Sequence, residues 1–258
     1  MCANCRAFIT TSDKVCPYCD VPVGERAIDQ RTPGAALGGL IPHAHFTTIV
    51  ILLINAGLYL ADYLTGNDSL FKLGAKYGPL IRQGEWWRLI TAGFLHGDLL
   101  HIGMNSWSLY VVGSQTEEAY GTPRFLLFYV ATTITGFYAS MLWRPLTPSV
   151  GSSAAIFGLI GAMIALGLRD RSAYGAQVKA MYMQWAVFGL VMGLSSRIDN
   201  MAHLGGMAGG FVLAYVAGTP RYTDKGKEMF WKIAGGAAVL LTLAAFAMMF
   251  RGGLSAGL

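Results

Sequence analysis

From Phe46 onward the chain returns repeatedly to apolar runs about as long as a helix needs to cross a hydrocarbon core, roughly 20 residues. Seven can be read, at about 46–63, 99–115, 125–143, 152–168, 180–195, 202–218 and 231–250. Of the 258 residues, 54% are hydrophobic and 13% charged, against roughly 25% charged in a soluble domain. That balance excludes a water-soluble globule and a disordered chain alike. The expected fold class is an all-α polytopic membrane protein, with the lipid bilayer as its first partner. The formal net charge of +5 is modest. No basic stripe with a groove-reading element accompanies it, so nucleic acid is not an expected partner.

All four cysteines fall in the first 19 residues, as Cys2-x-x-Cys5 and Cys16-x-x-Cys19. Two such knuckles can place four thiolates around one zinc ion. Disulfides are the alternative, but they need an oxidising compartment. The reading adopted is a small zinc-ribbon-like module over 1–22, with structural zinc supplying the folding energy that so small a core lacks. No cleavable signal peptide is expected ahead of it. Residues 23–44, with Pro33, Pro42, Gly34, Gly38 and Gly39, read as a linker.

Orientation follows from the 19 Lys and Arg residues. With the N-terminus inside, 12 of them fall in inner segments and 7 in outer ones. The excess predicts a cytoplasmic N-terminus. A reducing cytoplasm also suits zinc-bound thiolates.

Polar side chains at membrane depth are functional candidates. His101 and Asn105 open the second span and share a helical face, being four apart. Ser152 and Ser153 open the fourth span and His203 the sixth. Two crossings separate each group from the next, so all lie at one depth below the outer surface. A serine, two histidines and an asparagine are the parts for acyl transfer. One histidine takes the serine proton, and the other groups steady an oxyanion. These residues alone do not separate Ser152 from Ser153.

The chain resembles the rhomboid family of intramembrane serine proteases. The matching segments are 85–96, His101 with Asn105, Glu117 with Gly121, Gly151 to Gly158, and Ala202-His203 followed by Gly206 and Gly210. They occur in the family's order across roughly 46–218. The resemblance implies Ser153 as nucleophile and His203 as general base, a dyad with no required aspartate and no cofactor for catalysis. It also implies His101, Asn105 and Ser153 around the oxyanion. The core is then six helices over 45–218, followed over 219–258 by a loop and one extra C-terminal transmembrane helix. Transmembrane proteins are the implied substrates, cleaved near their outer ends, with the active site opening to the non-cytoplasmic side. Two residues depart from the usual pattern. Ala154 stands where glycine is common, placing a methyl near the oxyanion pocket in a pattern that tolerates small residues there. Phe157 stands where tyrosine is common, and is expected to pack on His203 without the hydroxyl.

Three other functions compete. A catalytically silent relative that binds membrane clients is the alternative, against which stand the retained Ser153 and His203. A proton-relaying transporter lacks an intramembrane acid, since Glu117 and Glu118 fall at the inner interface. A catalytic metal on His96, His101 and His203 has no His-Glu-x-x-His to support it.

Overall fold

The computed structural model describes residues 2, 4–5, 7–9, 13–23, 45–66, 69–194, 198–218 and 224–255. The expected linker lies outside them apart from Val23. Long helices stand where the apolar runs predict spans. They are α1 (Phe46–Thr65), α5 to α6 (Leu99–Ser108 and Ser114–Tyr120, joined by a π segment over Leu109–Gly113), α7 (Thr122–Trp143), α8 (Ser153–Arg169), α9 (Ala173–Met192), α10 (Asn200–Ala217) and α11 (Lys225–Ser255). The expected span at 180–195 begins earlier than its hydropathy implies. Ser172 caps it by accepting from the Gly175 N–H, so the amphipathic turn Ala173–Lys179 is already helical. Among the described residues, α1, α7 and α11 are individually long and apolar enough to cross a membrane. Between α1 and α5 the chain makes three short helices, α2 (Ser69–Gly74), α3 (Gly78–Arg82) and α4 (Arg88–Thr91).

α8 is the centre. Every residue from Ala154 to Gly167 is buried, as expected of a helix apolar on all sides. At 1.5 Å per residue its 17 residues span about 26 Å, while the 22 of α7 span about 33 Å. A loop from Arg144 leads to Ser153, with Ser149 paired to Lys76 and the Gly151 N–H donating to the Ala92 carbonyl at 2.9 Å.

Small residues set how closely α8 and α10 approach. A Cβ on Gly206 would strike the Ala154 carbonyl, and one on Gly210 the Gly158 carbonyl. The ridge Ala154–Gly158 on α8 and the ridge Gly206–Gly210 on α10 therefore lie in each other's grooves, as close-packed membrane helices do. Gly205 and Gly209 face α7 instead, against Ala139 and Thr135.

At the opposite end from Ser153, the buried Glu117 carboxylate accepts from the Thr47 and Thr48 N–H groups at 3.2 and 2.9 Å and from the Thr122 hydroxyl at 2.9 Å. It caps the otherwise unsatisfied start of α1. The cysteine module reaches this same end, with the Phe8 ring 3.9 Å from that of Tyr174 at the start of α9.

Candidate active site and cysteine cluster

The starts of α5, α8 and α10 lie at one end of the bundle, and the sequence candidates come together there. His203 Nε2 stands 2.9 Å from Ser153 Oγ. Ser152 is fully buried, and its hydroxyl has no hydrogen-bond partner. Of the two adjacent serines, it is Ser153 that meets the histidine. The Phe157 ring lies 4.2 Å from the His203 ring and nearly parallel to it, at 7°. Phe157 is one helical turn beyond Ser153, so α8 presents both the hydroxyl and the face against which the imidazole rests.

His101 and Asn105 flank Gly151. This residue has φ +120°, a conformation that side chains rarely allow. A Cβ there would lie 2.6 Å from His101 Nε2 and 3.2 Å from Asn105 Nδ2. Gly151 thus leaves open the space that both donors line. The Asn105 amide nitrogen is buried without a partner. A buried donor left unmatched is costly, unless a negative oxygen arrives to meet it. Ser153 is the first residue of α8, so its N–H has no intrahelical acceptor. His101 is also touched by His96, whose ring lies 5.2 Å away at 67°.

The Ala154 methyl is directed into a helix interface. It is fully buried among Ala92, Phe137 and Ala202 and faces Gly136 of α7. The methyl points into the helix interface because Cβ vectors one residue apart on a helix diverge by about 100°, which aims it away from the Ser153 hydroxyl.

Three features of the site carry no clear sequence signal. The first is Asn200, whose Oδ1 is 3.2 Å from His203 Nδ1 and whose Nδ2 donates to the Leu190 carbonyl at 3.1 Å. Its position three before His203 puts it on the same helical face, the one hint available. The second is Asp199, which caps α10 by accepting from the Ala202 N–H at 3.2 Å and also accepts from the Ser140 hydroxyl. The third is Lys76, which is buried and donates to the carbonyls of Arg144 and Thr147 at 3.2 and 2.7 Å, with Asp199 3.9 Å away. Burial pushes its ammonium below the ordinary value, against the pull of Asp199. Arg88 is likewise buried and donates to the Lys72 and Ala75 carbonyls at 2.9 Å each. The segment between α1 and α5 is thereby tied internally, and Lys76 ties it to the loop that delivers Gly151.

At the other end the four cysteines form one cluster. Cys2 and Cys19 sulfurs are 3.4 Å apart, those of Cys5 and Cys16 3.6 Å, and all four lie within 4.8 Å of one another. These separations exceed a disulfide bond, about 2.05 Å, so the thiols are free. They match a tetrahedral ion with Zn–S near 2.3 Å, which sets sulfurs about 3.8 Å apart. Although burial opposes it, N–H groups at Cys5 and Asn4 and the neighbouring thiols pull Cys2 down, while Cys5 and Cys16 are pushed up beside it, so the first negative charge is shared unevenly within the cluster. The turn Cys16 to Cys19 is closed by Cys16 N–H to Val21 O at 3.0 Å and Val23 N–H to Lys14 O at 2.9 Å. These four sulfurs could hold one metal ion.

A helical membrane bundle with a serine and a histidine in contact at one end defines a narrow class of protein. Comparison places the chain within it. A family model described as the Rhomboid domain matches residues 83–220. The chain is 38% identical over 189 residues to the rhomboid protease GluP of Bacillus subtilis, covering 73% of this chain and 36% of that protein. It is 35% identical over 153 residues to RHOMBOID-like protein 6, mitochondrial, of Arabidopsis thaliana, covering 58% and 50%. It is 32% identical over 168 residues to rhomboid-like protease 3 of Toxoplasma gondii, covering 64% of each. The chain belongs to the rhomboid family and is an integral membrane protein. It spans between about a third and two thirds of the length of these relatives.

Proposed function

We propose that the protein is an intramembrane serine endopeptidase that hydrolyses peptide bonds in or near transmembrane segments of other membrane proteins. The observation that carries this reading is the 2.9 Å contact between His203 Nε2 and Ser153 Oγ at one end of the helical bundle. Ser153 attacks the scissile carbonyl while its proton passes to His203 Nε2. The carbonyl electron pair moves to oxygen. His101, Asn105 and the Ser153 N–H receive that oxyanion, each supplying a donor already aimed into the space beside Gly151. His203 then returns the proton to the leaving amine. Water, deprotonated by His203, then attacks the acyl carbonyl; the bond to Ser153 Oγ breaks, and His203 returns the proton to that oxygen. No cofactor enters. The Lys and Arg excess supports a cytoplasmic N-terminus with the site opening on the outer side. We divide the chain into a zinc-ribbon-like module over 1–22, a linker over 23–44, the protease core over 45–218 and an added loop and helix over 219–258. Cys2, Cys5, Cys16 and Cys19 hold one structural zinc.

The test is a fluorophosphonate probe on purified protein in detergent, beside cleavage of a transmembrane substrate. Wild type is expected to label and cleave. Ser153→Ala and His203→Ala should do neither, and the double variant should be no worse, because the pair acts as a unit. Ser152→Ala should stay active. A folded wild type that neither labels nor cleaves would be a client-binding relative and would overturn the proposal.

A further inference from the structure

The dyad needs one histidine tautomer. Nε2 has to carry the lone pair that accepts the serine proton, so the ring hydrogen has to sit on Nδ1. In a dyad with no acid behind the imidazole, something else has to hold it there. We infer that Asn200 is the positioning residue for His203, and that the end of α9 sets its direction. This rests on the protease reading of Ser153 and His203.

The argument is one of forced polarity. The Leu190 carbonyl, near the end of α9, has lone pairs and no hydrogen, so it can only accept. The group facing it at 3.1 Å is therefore the NH2 of Asn200. That fixes the carboxamide and leaves Oδ1 pointing at His203 Nδ1, 3.2 Å away. Oδ1 can only accept, so Nδ1 carries the hydrogen. Nε2 is then the bare nitrogen, 2.9 Å from Ser153 Oγ, and the hydroxyl donates to it. A carbonyl on α9 thereby sets the direction of every hydrogen bond up to the nucleophile. Packing holds the carboxamide from behind, since a Cβ on Gly193 would strike Asn200 Oδ1. On its far side Asn200 faces a cleft between the ends of α7 and α9, lined also by Trp143, Leu194 and Asp199. Water entering that cleft both donates and accepts. It therefore cannot specify a tautomer if it replaces the carboxamide. During attack the proton moves from Ser153 to Nε2. The imidazolium so formed keeps its Nδ1 hydrogen on Asn200 Oδ1, and Asn200 itself neither gains nor loses a proton.

Three variants and one spectrum test this. Asn200→Ala should slow fluorophosphonate labelling and turnover by roughly 10–100-fold with KM little changed, a loss well short of the roughly 10⁴-fold that follows when a buried triad acid is replaced and the wrong tautomer results. Asn200→Asp keeps an acceptor for Nδ1 and should recover most of the labelling rate, although it cannot donate to Leu190. Asn200→Leu removes both partners and should be no faster than Asn200→Ala. In histidine-15N-labelled wild type, with His203 assigned by its disappearance in His203→Ala, the ring should show the Nδ1–H tautomer. An Nε2–H tautomer in wild type overturns the inference whether or not any variant folds. So does wild-type labelling by Asn200→Ala, or Asn200→Asp as slow as Asn200→Ala. In those cases Ser153-dependent labelling of wild type still leaves the protease reading standing. Loss of labelling in wild type itself would remove both.

Discussion

Gly136 of α7 is the point at which the distance between nucleophile and base can be tested by geometry alone. It sits where three helices meet, facing the residue after Ser153 on α8 and the residue before His203 on α10. A methyl added there would lie 2.8 Å from the Ala154 Cβ and 2.6 Å from the Ala202 carbonyl oxygen. Ordinary van der Waals contact begins near 3.4 Å, so roughly 0.6 to 0.8 Å has to be found on each side. Neither neighbour is the end of a flexible side chain, so the adjustment falls on the helices themselves. The Ser153–His203 contact of 2.9 Å lengthens by up to about an ångström, past the useful range of a hydrogen bond. A misplacement of about 1 Å costs on the order of 10²-fold in rate. Overpacking of this kind costs about 1–3 kcal/mol in stability. Gly136→Ala is therefore expected to fold, to melt a few degrees lower, and to label and cleave roughly a hundredfold more slowly. Gly57→Ala is the control, since a methyl there meets nothing within 4 Å and α1 carries none of the proposed groups. Wild-type labelling and turnover in Gly136→Ala would refute the claim that α7 packing sets the dyad distance.

His101→Ala and Asn105→Ala should each lower turnover by roughly 10²–10³ while fluorophosphonate labelling stays detectable, and Phe157→Tyr should change activity much less; near-normal turnover in both donor variants would remove them from the oxyanion site. Metal analysis should find one zinc per chain. A chelator at neutral pH should remove it with loss of structure in 1–22 but not of Ser153 labelling, whereas thiols intact without zinc in metal-replete cells would refute that site. A reporter fused after Leu258 should read as outside; a cytoplasmic reading would take one span from the seven.

The positions of the spans were legible because period and length are strong signals in a chain that lipid surrounds. Their starts were less so. α9 begins at Ala173, before its hydropathy rises, because a serine cap and not apolarity starts the helix. Chain topology alone brings Ser153, His203, His101 and Asn105 to one end, since an even number of crossings returns the chain to the same side. What topology leaves open is direction within a helix turn. The choice of Ser153 over Ser152 came from family likeness; it is Ser153 whose Oγ lies 2.9 Å from His203 Nε2. The outcome at Ala154 was not legible, because whether its methyl entered the pocket or the interface depended on where α7 lay. Lys76 and Arg88 are both buried among carbonyls from other segments, and although Glu85 three residues before Arg88 is a local partner, no local pattern records those carbonyls.

The two halves of the proposed dyad are held in very different ways. Ser153 begins the helix that is buried on every side, so its position is fixed by packing that lipid cannot reach. His203 begins α10, whose outer end is held by polar contacts. Asp199 accepts from Ser140 of α7 and faces Lys76 of the first loop, and Asn200 donates to the end of α9. On α9, Gly175, Val178, Tyr182 and Ala186 are the buried residues among its 20. Its other faces carry exposed Met181, Val187, Phe188 and Val191, which suit lipid tails. A displacement of α9 would therefore act on the base by two routes, through the Asn200 carboxamide and through the Phe157 ring, which packs against Gly189 and stacks on His203. Stability and activity are expected to part company along this helix. Substitutions on its lipid face that shift its outer end should change the rate of Ser153 labelling more than they change the melting temperature, because they leave the buried Val178, Tyr182 and Ala186 in place while moving the carbonyl proposed to set the His203 tautomer.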